Sequence, residues 1–294
     1  MAMQVERSRV APVVGKVAGS NQIGAMLIDA GKISAHDAER VLRYAKEKGL
    51  RFGDAAIALG LVTREEIERV VALQFGYPYV MRGESSVSHE VAAAYAPFSS
   101  QVEAFRALRS QLLLRWFSDN LDRKALAIVS VNRGEGRSYV AANLAVVFSQ
   151  LGEHTLLVDA DMRNPRQHQI FGLNNATGLS TVLSGRACGE AIQRMPGFLN
   201  LSILPAGPLP PNPQELLDRT QFTQALDDWS RQYDVILLDT CAASLAADAR
   251  IVAAKATGAF VLTKLNKSKL NHLRALYREL IDINVSVVGS VINP

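Results

Sequence analysis

The stretch ALAIVSVNRGEGRSYVAANLA, residues 125–145, decides how this chain folds. An apolar run enters a loop with two glycines, and an apolar helical pattern leaves it. That order predicts a strand over 125–131 and a helix over 138–151. Backbone N–H groups in such a loop turn inward and cradle phosphate oxygens. The helix N-terminus adds positive partial charge at the same place. Gly134 and Gly136 allow the tight path, and Ser138 offers a hydroxyl to Mg²⁺. Against the pattern G-x-x-x-x-G-K-[ST], Val131 stands at the first glycine and Arg137 at the lysine. Arginine keeps the positive charge but presents a planar fork in place of a compact ammonium.

Two further motifs follow. HTLLVDADMRNP, residues 154–165, is a buried strand ending in Asp159-Ala160-Asp161, with Arg163 two residues on. Alternation at a strand end points both carboxylates to one side, toward the ligand crevice of an α/β sheet. Two acids beside a triphosphate suit Mg²⁺ and polarisation of an attacking hydroxyl. QYDVILLDTCAA, residues 232–243, sets Asp239 and Thr240 at the end of another apolar run, the Walker-B arrangement. Strands are also expected over 155–158, 200–204, 235–238, 259–263 and 285–292, and a helix over 213–231. Strands alternating with helices predict an α/β fold, a P-loop NTPase with a mainly parallel sheet flanked by helices.

A small helical domain is expected ahead of it. IGAMLIDAGKISAHDAERV, from residue 23, recurs as FGDAAIALGLVTREEIERV, shifted by 29 positions. Each unit reads as a helix, a glycine C-cap and a new helix start, with Ser34/Asp37 and Thr63/Glu66 as capping boxes. The domains expected are a flexible tail over 1–18, a docking or regulatory module over 19–82, a linker over 83–98 and the P-loop domain over 99–294. The 294 residues carry a net charge of +4 without a tight basic cluster, so no nucleic-acid partner is expected. Cys188 and Cys241 have no metal-type spacing and read as incidental thiols of a reducing compartment. No apolar run is long enough for a signal peptide or a membrane span. The expectation is a cytoplasmic protein, recruited to the inner face of the membrane by a partner.

The order GEGRS, then VDADMR, then LLDT resembles that of the bacterial tyrosine kinases, which regulate capsular and exopolysaccharide export. LPAGPLPPNPQELL, residues 204–217, is similar to the family's proline-rich loop. EAFRALR is similar to its E-x-x-R-x-x-R oligomerisation motif, which falls on Glu103, Arg106 and Arg109. With its N-terminal module the chain looks like the EpsG-like exopolysaccharide chain-length determinant kinases. The module itself resembles the N-terminal domain of type II secretion ATPases. The resemblance implies ATP and Mg²⁺ as cofactors, with Asn132, Arg133, Gly134, Glu135, Gly136, Arg137, Ser138 and Tyr139 around the phosphates. Asn293 would lie near the adenine. It implies Ser138, Asp161 and Asp239 as metal ligands, and Asp159, Asp161 and Arg137 as catalytic groups, Asp159 activating the tyrosine hydroxyl. A membrane-anchored polysaccharide co-polymerase, tyrosine-containing protein substrates and a homo-oligomeric ring are the implied partners.

Spacing alone also allows Glu103, Arg106 and Arg109 to pair within one helix. The sequence ends SVVGSVINP, without the family's tyrosine cluster, so the substrate tyrosines lie elsewhere or turnover is weak. Two other readings stay open. One is a nucleotide-gated assembly subunit of an export complex. The other is a partition- or division-type ATPase, whose signature lysine is replaced here by Asn132 and Arg133.

Overall fold

The computed structural model describes residues 21–74, 85–117, 123–186 and 191–294. The tail expected over 1–18 and Cys188 lie outside the described residues. The chain divides into two compact units, Met1–Tyr77 and Pro78–Pro294.

The first unit holds α1 (Asn21–Asp29), α2 (Ala35–Lys48), α3 (Phe52–Ala58) and α4 (Arg64–Gln74). Both predicted capping boxes are formed. Ser34 Oγ accepts from Asp37 N, and Asp37 Oδ2 accepts from Ser34 N. Thr63 Oγ1 and Glu66 Oε2 do the same at α4. Gly31 and Gly60 end their helices at φ +66° and +68°, where a side chain would be strained. Repeat-equivalent positions are buried in pairs: Leu27 with Ala56, Ile33 with Val62, Val41 with Val70. The duplicated pattern therefore makes one shared core, as a unit too small to bury its own face requires.

The second unit holds α5 (Ala92–Tyr95), α6 (Ser100–Leu112), β1 (Ala125–Ser130), α7 (Arg137–Leu151), β2 (Thr155–Asp159), α8 (Gln167–Phe171) and α9 (Leu179–Leu183). Then follow β3 (Gln193–Arg194), β4 (Leu201–Leu204), α10 (Pro213–Asp218), α11 (Thr220–Ser230), β5 (Val235–Asp239), α12 (Asp248–Ala256), β6 (Gly258–Lys264), α13 (Leu270–Asp282) and β7 (Ser286–Asn293). The sheet order is β3-β4-β2-β5-β1-β6-β7. All neighbours pair in parallel except β3, which is antiparallel to β4. β1, β2 and β5 are buried on both faces, which is why they read as unbroken apolar runs. Two apolar clusters cover the two faces of the sheet, one built on α5, α6 and α7, the other on α10, α11, α12 and α13.

Two expectations are corrected. The described part of the 83–98 linker is packed, with Val87, Val91, Ala93, Ala94 and Tyr95 buried in the α7-side core. Asn143 of α7 hooks it: its Oδ1 accepts from Ala93 N, and its Nδ2 donates to Glu90 O. The helix expected over 213–231 is two helices. Arg219 is extended at ψ 153°, and Lys255 Nζ takes the freed carbonyls of Asp218 and Arg219.

Beyond α6 the chain makes a π-helical turn, Leu113–Phe117, that drives Trp116 against the start of β6. Its indole donates to Ala125 O at 2.9 Å, so the ring is pinned. A Cβ on Gly258 would fall 2.2 Å from that ring. Gly258→Ala is expected to cost about 1–3 kcal/mol through overpacking, seen as a lowered urea midpoint with an unchanged slope.

Candidate active site

Parallel strands place their C-terminal loops on one edge, and β2, β5, β1 and β6 are consecutive neighbours. Residues that follow β1, β2 and β5 line a cavity of about 580 Å³. Arg133, Gly134, Gly136, Arg137, Ser138 and Tyr139 line it from one side, and Asp161, Asn164 and Arg166 from the other. Gly134 and Gly136 have φ of +78° and +98°, which explains both glycines.

The loop between them is braced from behind. Glu135 is fully buried, and its carboxylate accepts from Asn132 N, Asn132 Nδ2 and Ser268 Oγ. Burial works to raise its pKa, but these hydrogen bonds outweigh it and the net shift is downward. Asn293 Nδ2 donates to Glu135 O at 3.2 Å, and Lys267 Nζ donates to Arg133 O at 3.0 Å. Glu135 and Asn293, expected against phosphate and adenine, thus serve here as struts of the loop. Arg137 is turned the same way. Its Nε donates to Thr240 O at 2.8 Å, and its Nη1 to Asn132 O at 2.9 Å and to Ser130 Oγ. Its fork ties the loop base to the end of β5. The Tyr139 ring lies 5.8 Å from that of Phe105.

The acids sit in register. Asp159 of β2 pairs with Asp239 of β5, so both carboxylates leave adjacent parallel strands side by side. Both are fully buried. Asp159 Oδ2 accepts from Arg166 N and Gln167 N, each at 2.9 Å. Asp239 Oδ2 accepts from Gln167 Nε2 at 2.8 Å, while its Oδ1 is buried without a partner. Burial, then the neighbouring Asp239 charge, pushes Asp159 well up. Burial likewise pushes Asp239 up, to about 6. Asp161 accepts from Asn164 N at 2.9 Å and, unlike the other two, lines the cavity. Arg163 forks onto buried Asp248 of α12, fixing the loop after β2. Cys241 is buried, which pushes its thiol up to about 11.

These donors fit Mg²⁺. They are hard oxygens, and the unpartnered Asp239 Oδ1 lies among them. Among the described residues no group of three His, Cys, Asp or Glu could hold an ion alone. Nucleotide phosphates and water would have to complete the shell.

Glu103, Arg106 and Arg109 lie on α6, away from the cavity lining. Arg106 pairs with Glu103 at 2.9 Å, and Arg109 donates to Val147 O at 2.8 Å. The intrahelical pairing allowed by their spacing is present for Glu103 and Arg106, while the Arg109 bond to Val147 O reaches α7. Gln167 and Ser268 escaped the sequence reading. No motif marks Gln167. Ser268 could have been found from strand order, because the loop after β6 must lie beside the loop after β1.

The buried acids make a prediction about stability. A carboxyl whose folded pKa is raised stabilises the fold while protonated and loses that contribution as pH rises through about 6. Asp239→Asn keeps an oxygen for Gln167 and removes the charge. In EDTA it should melt several degrees above the parent at pH 8, on the order of a few kcal/mol, with the gap closing by pH 4. An equal gap at both pH values would contradict the assignment.

No protein-family model matches the chain. Among characterised proteins it is 32% identical over 209 residues to the tyrosine-protein kinase YwqD of Bacillus subtilis, covering 71% of this chain and 87% of that one. It is 32% identical over 197 residues to the putative tyrosine-protein kinase CapB of Staphylococcus aureus, covering 67% and 86%. Among solved structures it superposes on the kinase domain of the Escherichia coli tyrosine kinase ETK with a TM-score of 0.66 and 28% identity, over 69% of this chain and 79% of that one. The matches span most of the length of YwqD and CapB, and so more than a glycine loop shared by many nucleotide-binding proteins. The chain belongs to the family of bacterial tyrosine-protein kinases.

Proposed function

We propose that this chain transfers the terminal phosphoryl group of ATP to tyrosine hydroxyls of protein substrates. The observation that carries the proposal is one convergence. A glycine loop, three arginines and Asp161 line a cavity of about 580 Å³, while Asp159 and Asp239 are buried side by side at the ends of adjacent parallel strands. Phosphoryl transfer asks little covalent chemistry of the protein and much positioning and charge neutralisation. Backbone N–H groups of 133–138 would hold the phosphates, with Arg133 and Arg166 at the mouth. Ser138, Asp161 and Asp239 would hold Mg²⁺, which when bound would neutralise charge developing on the phosphates. Asp159, whose burial raises its proton affinity, is assigned the acceptor's proton, and Asp161 orients the hydroxyl at the cavity wall.

No helix among the described residues is long and apolar enough to cross a membrane. Recruitment by a membrane-anchored polysaccharide co-polymerase, and a role in exopolysaccharide chain length, belong to the proposal. So does a ring of subunits meeting through Glu103, Arg106 and Arg109, which would have to trade their internal partners for a neighbour's. One observation favours a second reading. Arg137 is held by three oxygens of its own chain, which suits a subunit that binds nucleotide and turns over slowly.

Incubation with ATP, Mg²⁺ and the cytosolic segment of a co-encoded membrane partner should yield phosphotyrosine, located by mass spectrometry. Asp159→Asn should lower the rate at least a hundredfold, the scale of a lost proton acceptor, with ADP still bound. Tight ATP binding without phosphotyrosine would transfer the assignment to the nucleotide-gated subunit.

A further inference from the structure

Gln167 touches every motif of the site, although nothing in its sequence neighbourhood marks it. It is the first residue of α8 and is fully buried. Its Nε2 donates to Asp239 Oδ2 at 2.8 Å and to Ser138 O at 3.1 Å. Its main-chain N–H donates to Asp159 Oδ2 at 2.9 Å. One residue thus joins the ends of β2 and β5 to the first turn of α7.

The arrangement is economical with Asp239. That carboxylate has one oxygen held by the amide, and its other oxygen is buried and unpartnered. Gln167 Oε1 is likewise buried and unpartnered. Buried polar atoms without partners are rare, and two in contacting side chains call for a ligand with donors to offer. A hydrated hard cation provides them, through the metal to a carboxylate and through its waters to an amide oxygen.

We infer that Gln167 is a positioning residue for the metal-binding end of the site, holding Asp239 by its amide N–H and accepting from a metal-bound water at its amide oxygen. The inference rests on the site being one for a magnesium nucleotide. It assigns Gln167 no contact with phosphate or with the acceptor. Its loss should therefore weaken the metal's contribution to nucleotide affinity and leave metal-free nucleotide binding intact.

The test uses the full chain and a fluorescent ADP analogue, titrated in EDTA and across a range of Mg²⁺. Gln167→Met preserves length and approximate volume while removing both amide functions. It should raise the Mg²⁺ concentration for half-maximal tightening by about tenfold, the scale of losses at residues that orient metal ligands. Affinity in EDTA should stay within about twofold of the parent, because Gln167 meets the phosphate loop only at the Ser138 carbonyl and not at an N–H that would hold phosphate. An unchanged Mg²⁺ midpoint, or an equal loss with and without metal, would overturn the inference. Gln167→Asn keeps the amide but shortens its reach, and should shift the midpoint the same way should the methionine variant fail to fold. A parent chain that binds no ADP at all would instead overturn the reading of the site itself.

Discussion

Two carboxylates lie side by side on adjacent parallel strands, both out of water, and the site is built around that conflict. Asp159 and Asp239 are in register on neighbouring strands, so their side chains leave the sheet side by side. Desolvation and mutual repulsion favour a shared proton. Backbone N–H groups of Arg166 and Gln167 offset part of the cost at Asp159, and the Gln167 amide offsets part at Asp239. What is left is a place that attracts positive charge. A fold that holds acids this way stores instability at the point where a ligand binds, and the ligand relieves it.

The glycine loop opposite is held by the complementary means. Two of its side chains, Glu135 and Arg137, find their partners in the surrounding framework. Glu135 reaches Ser268 of the loop after β6, and Asn293 reaches back to Glu135 O. Arg137 binds the carbonyl that follows Asp239. Loop shape is therefore set in part by residues more than a hundred positions away, and the order β5-β1-β6-β7 brings them together. The absent P-loop lysine fits this pattern, because a planar fork can serve three oxygens at once where an ammonium meets them less selectively.

Much of this was legible in the residues. β1, β2 and β5 are legible because strands buried on both faces are continuously apolar, and the acids stand at the ends of β2 and β5. The capping boxes followed from spacing of three, a purely local signal. Directions of side chains were not legible. Glu135 in a phosphate loop reads as a ligand-facing group until Ser268 is placed beside it. The break at Arg219 carries no glycine or proline, and the group that satisfies its carbonyls, Lys255, comes from another helix. Residues 85–98 have the composition of a linker, yet their apolar side chains pack into the core and Asn143 and Gln150 of α7 hold their backbone there.

That last feature bears on how the catalytic unit can be isolated. A fragment starting at residue 99 would strip Val91, Ala93, Ala94 and Tyr95 from the face of α7 and leave the Asn143 amide without Ala93 and Glu90. It would also free Arg166, at the mouth of the cavity, from its ion pair with Glu90. The minimal kinase therefore begins upstream of its first long helix. Proteolytic trimming in this segment would disturb nucleotide handling without touching any residue of the phosphate loop.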